Sequence, residues 1–398
     1  MRTLGSARFG ADFPKLWTAS AVSNLGDGVT AVAGPLLAAT LTRDPALVAG
    51  AAFVQTLPWL LFALVSGAYV DRVDRRGLIW TVNLARAATL AGLSMLIAAD
   101  AVSVPLLYAA LFLLGTGETL ADTASVARLP AIVPPERLAS ANALLTATFT
   151  VGNQFLAKPL GAGLFVVAAA VPFGFNAVTF VVAAVLVASM RPAEDPPPPS
   201  GRSVRAEIAE GVRWLWSHRL LRTLAVSMGV ANVAFCGAFA AFVLYARDVL
   251  GLSEVGYGLL LTTFGVGGLV GTGLARGLER RFGATALLRA GLLLEAATHL
   301  TLASTRNAWV AAAILVVFGV HTMVWGVIAT TVRQRATPDR LLGRVGSAYS
   351  LIDFSGAAVG MLLGGLLASA LTVSAPFWIA GGVTLLVAAA AWRPLRHA

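Results

Sequence analysis

Ionisable side chains set into apolar stretches are the residues of this sequence that could do chemistry: Asp27, Arg86, Glu118, Asp122, Lys158, Glu295, His299, His321 and Asp353. At the centre of a membrane-crossing helix each costs about 2.5–3.5 kcal/mol, so those retained face a partner or water and mark a pathway. The chemistry they suit is proton exchange. A low-dielectric setting disfavours the charged form of a carboxylic acid, so an acid kept there takes up and returns a proton as its surroundings change. Asp27 has the clearest case. It lies about 20 Å along a helix beginning near residue 13, close to mid-membrane, and Gly26 and Gly28 leave it accessible. The alternative is a structural role, with Asp27 hydrogen-bonded to Asn24 or to a neighbouring helix. Glu118 and Asp122, four residues apart on one helix face, are the second proton candidates.

Depth follows from symmetry about each hairpin. Arg86 and Glu118 flank a turn near residue 102 equally, and Glu295 and His321 flank one near residue 308, so each pair shares a level. An Arg86–Glu118 ion pair is expected, with or without a transport role; Glu295, His299 and His321 are expected to form a structural cluster. Lys158 falls about 28 Å from the inner end of its stretch. It either attracts an anionic substrate group or snorkels to the outer surface. Asp353 is a further embedded charge.

The elements that hold these residues follow from composition. Hydrophobic residues make up 58% of the 398-residue chain and charged ones 12%; mean hydropathy is +0.80, whereas a soluble domain is about 25% charged. A span needs roughly 20 apolar residues, and the apolar runs divide into about twelve spans, at 13–41, 46–70, 78–99, 104–126, 138–168, 172–190, 219–246, 255–276, 284–304, 307–332, 344–371 and 375–392. The fold class is therefore an all-α, multi-pass membrane protein of the inner (plasma) membrane. No cleavable signal is evident in MRTLGSARFGADFPK, which leads straight into a span. Of the 29 Lys and Arg residues, Arg43, Arg247 and Arg306 fall on outer loops and Arg86 and Lys158 within spans; the rest fall on one side, which places both termini in the cytoplasm. That distribution makes a nucleic-acid partner superfluous despite the +10 charge. Cys236, the single cysteine, excludes an intramolecular disulfide.

The stretch GAYVDRVDRRG, residues 67–77, breaks sharply from its apolar surroundings. At an offset of 206 it aligns with GLARGLERRFG, matching Gly67 to Gly273, Arg75 to Arg281 and Gly77 to Gly283, while an offset of 203 places PERL at 135–138 on PDRL at 338–341. Two matches in nearly one register point to an internal duplication, and paired six-helix halves with a site between them are a transporter architecture. The halves are 1–190 and 219–398. Between them, 191–218 joins a proline-rich linker, RPAEDPPPPSGR, to an amphipathic segment suited to the membrane surface.

GAYVDRVDRR resembles the loop signature of the major facilitator superfamily, Gly-x-x-x-Asp-Arg-x-x-Arg-Arg, with Asp74 where that signature usually has glycine. SNLGDG at 23–28, NLARA at 83–87, the segment from Gly115 to Leu144, EGVRWLWSHRLLR at 210–222 and RQRATPDRLLGRVGSAYSLI at 333–352 are similar to its bacterial drug and siderophore exporter branch, the third drug:proton antiporter family. The resemblance implies twelve helices in two bundles and alternating access. It implies that Gly67, Asp71, Arg72, Arg75 and Arg76 form a latch between conformations, with Asp71 set against the helix that begins near Arg344; a plain positive-inside anchor explains the arginines equally well. It also implies that the first, fourth, seventh and tenth spans line the cavity, so that Asn24, Asn232, Phe235, Phe239, His321 and Trp325 contact substrate. Two departures stand out. The fourth span lacks the arginine of better-studied drug antiporters, and Lys158 precedes Pro159 where the exporter pattern has a small residue.

The expected function is proton-coupled export of amphipathic small molecules. The alternatives are a dedicated siderophore or metabolite exporter and a non-transporting receptor on the same fold. The expected partners are a small amphipathic substrate, the proton and membrane lipid, with the chain a monomer. No nucleotide-binding glycine loop, metal-ligand spacing or nucleophile–base pair is recognisable, so no enzyme activity, cofactor, metal or ATP drive is expected.

Overall fold

The structure is a computed structural model, and it describes residues 9–70, 72–192, 204–338 and 341–397. Every regular element among them is helical. α1 is Phe13–Leu41, α2 Pro45–Val70, α3 Arg75–Ala98 and α4 Val104–Ile132. α5 begins as Leu138–Phe149, passes through a π-helical segment Thr150–Leu156, and resumes as Ala157–Val167; α6 is Val171–Ala188. α7, Val204–Ser217, is the amphipathic segment. α8 is Arg219–Phe239, followed by a short turn and a π-helical segment Tyr245–Val249. α9 is Glu254–Phe282, α10 Ala284–Ser304, α11 Ala308–Ala336, α12 Leu342–Ala370 and α13 Ala375–Ala391. Among the described residues, nine helices are long and apolar enough to cross a membrane.

Local chemistry sets the ends. Pro14, Pro105, Pro172 and Pro376 stand in the first turns of α1, α4, α6 and α13, where a missing N–H costs nothing. Ser253 and Asn307 cap α9 and α11 through their side-chain oxygens. Several helices outrun their apolar runs. α4 continues to Ile132 and α9 to Phe282, carrying Arg128 and Arg276, Arg280 and Arg281 inside helices whose apolar stretches were expected to stop near 126 and 276. Arginine, leucine and glutamate favour helix, so leaving the apolar layer does not end one. Conversely, the expected continuous span at 138–168 is interrupted by a π-helical segment, and that at 219–246 breaks at a turn after Phe239 and ends in another.

Contacts divide the chain into two compact units, Met1–Thr42 with Val54–Ser200, and Arg43–Phe53 with Gly201–Ala398. In the first, α6 packs on α1 and α3, while α4 lies on α3 and α5 on α1. In the second, α9 pairs with α11, α8 with α12, and α10 with α13. Small residues permit the closest pairs. A Cβ on Gly267 would stand 2.0 Å from the Val316 carbonyl oxygen, and one on Gly364 would stand 2.0 Å from that of Gly237. Large apolar side chains such as Trp309, Val167 and Leu386 point outward, as on a surface meeting hydrocarbon.

Candidate functional site

In the first unit the polar interior centres on Arg86 of α3, whose side chain is 4% exposed. Its Nη2 donates to Asp27 Oδ1 of α1 at 2.8 Å and lies 3.9 Å from Glu118 Oε2 of α4. The guanidinium sits 4.0 Å above the Phe180 ring of α6, a cation–π geometry. Gly117 makes room for the aliphatic stem: a Cβ there would fall 2.7 Å from Arg86 Cγ. Four helices thus enclose one cation serving two acids. Asp122, one turn beyond Glu118, is exposed and forms no ion pair among the described residues. Asn24 donates to Ser20 Oγ at 3.0 Å rather than to Asp27, and its carbonyl accepts from Asn153 in the π-helical part of α5 at 3.0 Å.

That π-helical segment brings α5 against α1, with Ala157 Cβ and the Asn153 carbonyl packed at Gly28. Lys158 follows directly. It is half-buried and makes no ion pair or hydrogen bond among the described residues.

The Arg86–Glu118 neighbour relation was legible from hairpin symmetry, but the shorter contact, Arg86 to Asp27, was not. α1 and α3 are not consecutive, so no turn relates their depths. The only sequence signal was the lack of any other arginine or lysine within the first four spans apart from Lys15 at the cytoplasmic start of the first.

The second unit holds a cavity of about 100 Å³ between α8, α10 and α11. Asn232, Phe235, His321 and Trp325, all expected at substrate, line it together with Glu295 and Phe318. Glu295 lies 3.9 Å from Nε2 of both His299 and His321. Phe239 does not line this cavity. Its ring packs in an aromatic cluster with Phe235, Phe242 and Phe377 at centroid distances of 4.7, 4.6 and 5.7 Å. Asp353 of α12 accepts from Asn232 Nδ2 at 3.0 Å through its side chain and at 2.7 Å through its main-chain oxygen.

The charged loop has its own geometry. Asp71 lies outside the described residues, and Gly67 lies in the last turn of α2. Arg72 is exposed, whereas Arg75 Nη1 donates to the Ala127 carbonyl of α4 at 3.0 Å and Arg76 to that of Ala188 at the end of α6. Lys15 and Arg128 reach the next carbonyls, Ser189 and Arg191, each at 2.6 Å. Three cations therefore gather at the C-terminus of α6, where unpaired carbonyls and the helix dipole favour positive charge. Asp74, the departure from the loop signature, caps α3 by accepting from the N–H groups of Arg76 and Gly77 at 3.0 Å each.

A family model described as transmembrane secretion effector, one of the MFS families, matches residues 8–396. The chain belongs to this family. It is 28% identical over 383 residues to the multidrug efflux pump Tap of Mycolicibacterium fortuitum, covering 90% of each protein. To the enterobactin exporter EntS of Escherichia coli it is 26% identical over 377 residues, covering 89% of this chain and 85% of the exporter. A bacterial homologue of the iron transporter ferroportin, solved in an inward-facing state, superposes with a TM-score of 0.72 at 18% identity, over 95% of this chain and 98% of that one. At that identity the likeness establishes the fold, which is that of the MFS transporters. The superfamily, expected from the loop signature, and its bacterial exporter branch, expected from the further similar segments, are thus found, and the chain is a multi-pass membrane protein.

Proposed function

We propose that this MFS protein exports amphipathic small molecules by alternating access, driven by protons moving inward. The observation that carries the reading is the sharing of Arg86 between Asp27 at 2.8 Å and Glu118 at 3.9 Å. One guanidinium neutralises one carboxylate, so the second acid in a low-dielectric interior has reason to hold a proton. If the arginine changes acids between outward- and inward-open states, the surplus proton is collected on one side and released on the other, and its differential binding moves the conformational equilibrium. Asp122, one turn nearer the cytoplasmic end of α4, is the relay inward from Glu118. The likeness to the efflux pump Tap supports cargo of the drug type.

The remaining assignments complete the proposal. Twelve spans form two six-helix halves, 1–190 and 219–398, joined by the linker and interfacial helix 191–218, with both termini cytoplasmic and the chain a monomer. Gly67, Asp71, Arg72, Arg75 and Arg76 act as the latch of the cycle; Asn24, Asn232, Phe235, His321 and Trp325 meet the cargo, while Phe239 packs beside them. Arg86, Glu295 and Asp353 are embedded charge partners, and no residue is assigned a catalytic role. A second reading, export of an anionic metabolite such as a siderophore, is favoured by Lys158, the half-buried cation without an ion pair among the described residues.

The test is proton release from purified protein when candidate drugs are added. Wild type should release protons in unbuffered solution, and Asp27→Asn and Glu118→Gln should each abolish or strongly reduce release. Drug binding with no proton displaced would remove the coupling.

A further inference from the structure

The cavity of the second unit contains a carboxylate that no donor satisfies among the described residues. The Glu295 side chain is 10% exposed, and the basic nitrogens that approach its two oxygens are His299 Nε2 and His321 Nε2, each at 3.9 Å. That separation lies beyond hydrogen-bond range, and a buried carboxylate without donors or counter-charge is costly. Asp27, in the first unit, meets the same difficulty with a guanidinium at 2.8 Å. Glu295 has no such partner: among the described residues lining its cavity there is no lysine or arginine.

The walls around Glu295 are aromatic. Phe235 and Phe318 stand 5.5 Å apart between centroids, and Trp325, 8% exposed, closes one side. The indole Nε1 of Trp325 is buried without a hydrogen-bond partner among the described residues. Gly291 permits this arrangement, because a Cβ there would fall 2.6 Å from His321 Cε1 and 2.7 Å from Trp325 Cδ1. Only with glycine at that position can both rings lie against α10. A second carboxylate, Asp353, stands behind Asn232 and adds to the negative field. A metal ion is a poor occupant, since no described group of three His, Cys, Asp or Glu residues converges as ligands. A volume of about 100 Å³ gives room for several water-sized groups.

We infer that this cavity binds the ammonium head of a lipophilic amine, with Glu295 as its counter-ion and Phe235, Phe318 and Trp325 as the ring faces around it. An ammonium supplies both the charge and the N–H donors that the two histidines at 3.9 Å do not, and aromatic faces attract cations more strongly when water is excluded. The inference rests on the export reading only in taking that amine as cargo. It divides the work between the units: the Asp27, Arg86 and Glu118 group handles the proton, and Glu295 recognises the charge of the cargo.

Phenylbutylammonium and phenylbutyrate, matched in chain length and opposite in charge, test the inference by equilibrium dialysis against the purified full chain. Wild type should bind the ammonium at least roughly tenfold more tightly than the carboxylate, and Glu295→Gln should bring the two within about twofold of each other. Equal binding by wild type, preference for the carboxylate, or an undiminished ammonium preference in Glu295→Gln would each overturn the assignment. Should Glu295→Gln fail to fold, Phe318→Leu reads the same site: an approximately threefold loss for the ammonium alone supports it, and no loss overturns it. Flux of the same two compounds in proteoliposomes separates the claims. Export without charge preference removes the site and leaves the transporter; charge-selective binding without flux removes export and leaves the site.

Discussion

Arg86 shows how one side chain can set the behaviour of several helices. It joins α1, α3, α4 and α6 through two carboxylates and a phenyl face, so removing it leaves two acids with no cation in a buried setting. Arg86→Met should therefore destabilise the protein by about 3–5 kcal/mol, the cost of breaking a buried ion pair from one side. A thermal unfolding scan of purified protein would register it, and the double variant Arg86→Met, Asp27→Asn should recover part of the loss. Full additivity of the two changes would contradict the pairing. Asp74 is a smaller case. Its carboxylate caps α3 through two N–H groups, and Asp74→Ala should cost about 1 kcal/mol. A glycine there, as in the usual superfamily signature, should cost only a few tenths.

At the scale of elements, contact between α9 and α11 depends on bare backbone. Gly267 and Gly319 face carbonyls that a Cβ would approach to 2.0 and 2.1 Å, distances that force the helices apart. Gly267→Val should lower stability by about 1–3 kcal/mol or more through overpacking. Gly277→Val on the same helix, where nothing stands within 4 Å, should be close to neutral. The comparison of melting temperatures checks both, and equal effects would mean that helix propensity rather than close packing sets the loss. The π-helical segment of α5 is a second element-level device. It places Asn153 against the Asn24 carbonyl and Ala157 against Gly28 of α1, and such insertions concentrate at functional sites.

At the scale of the whole molecule, the testable statement is topology. On a Cys236→Ala background, cysteines at Asp100 and Arg306 should react with a membrane-impermeant maleimide in intact cells, and one at Arg137 only after permeabilisation. The reverse pattern would invert the orientation drawn from the arginine distribution. With that orientation, each proton moving inward contributes about 2.3 kcal/mol per 100 mV of membrane potential, so export should collapse when the potential and the pH gradient are dissipated together.

Composition by itself determined the helical membrane class and the positions of the apolar runs, because a hydrocarbon layer demands long apolar stretches and leaves its charged residues conspicuous; the family was legible only through the resemblance carried by GAYVDRVDRR and the segments similar to the exporter branch. Hairpin symmetry also brought Arg86 level with Glu118 and Glu295 level with His321, since consecutive helices share a turn from which depth is counted. Only the tertiary structure decided that Arg86 binds Asp27 more closely than Glu118, that Phe239 belongs to packing while Phe318 lines the cavity, and that Arg75 and Arg76 hold carbonyls of α4 and α6. Those choices depend on rotation of each helix about its axis and on which non-consecutive helices become neighbours. Nearly every face of these helices is apolar, so sequence periodicity contains almost no record of either; side-chain packing at glycines such as Gly117 and Gly291 settles both.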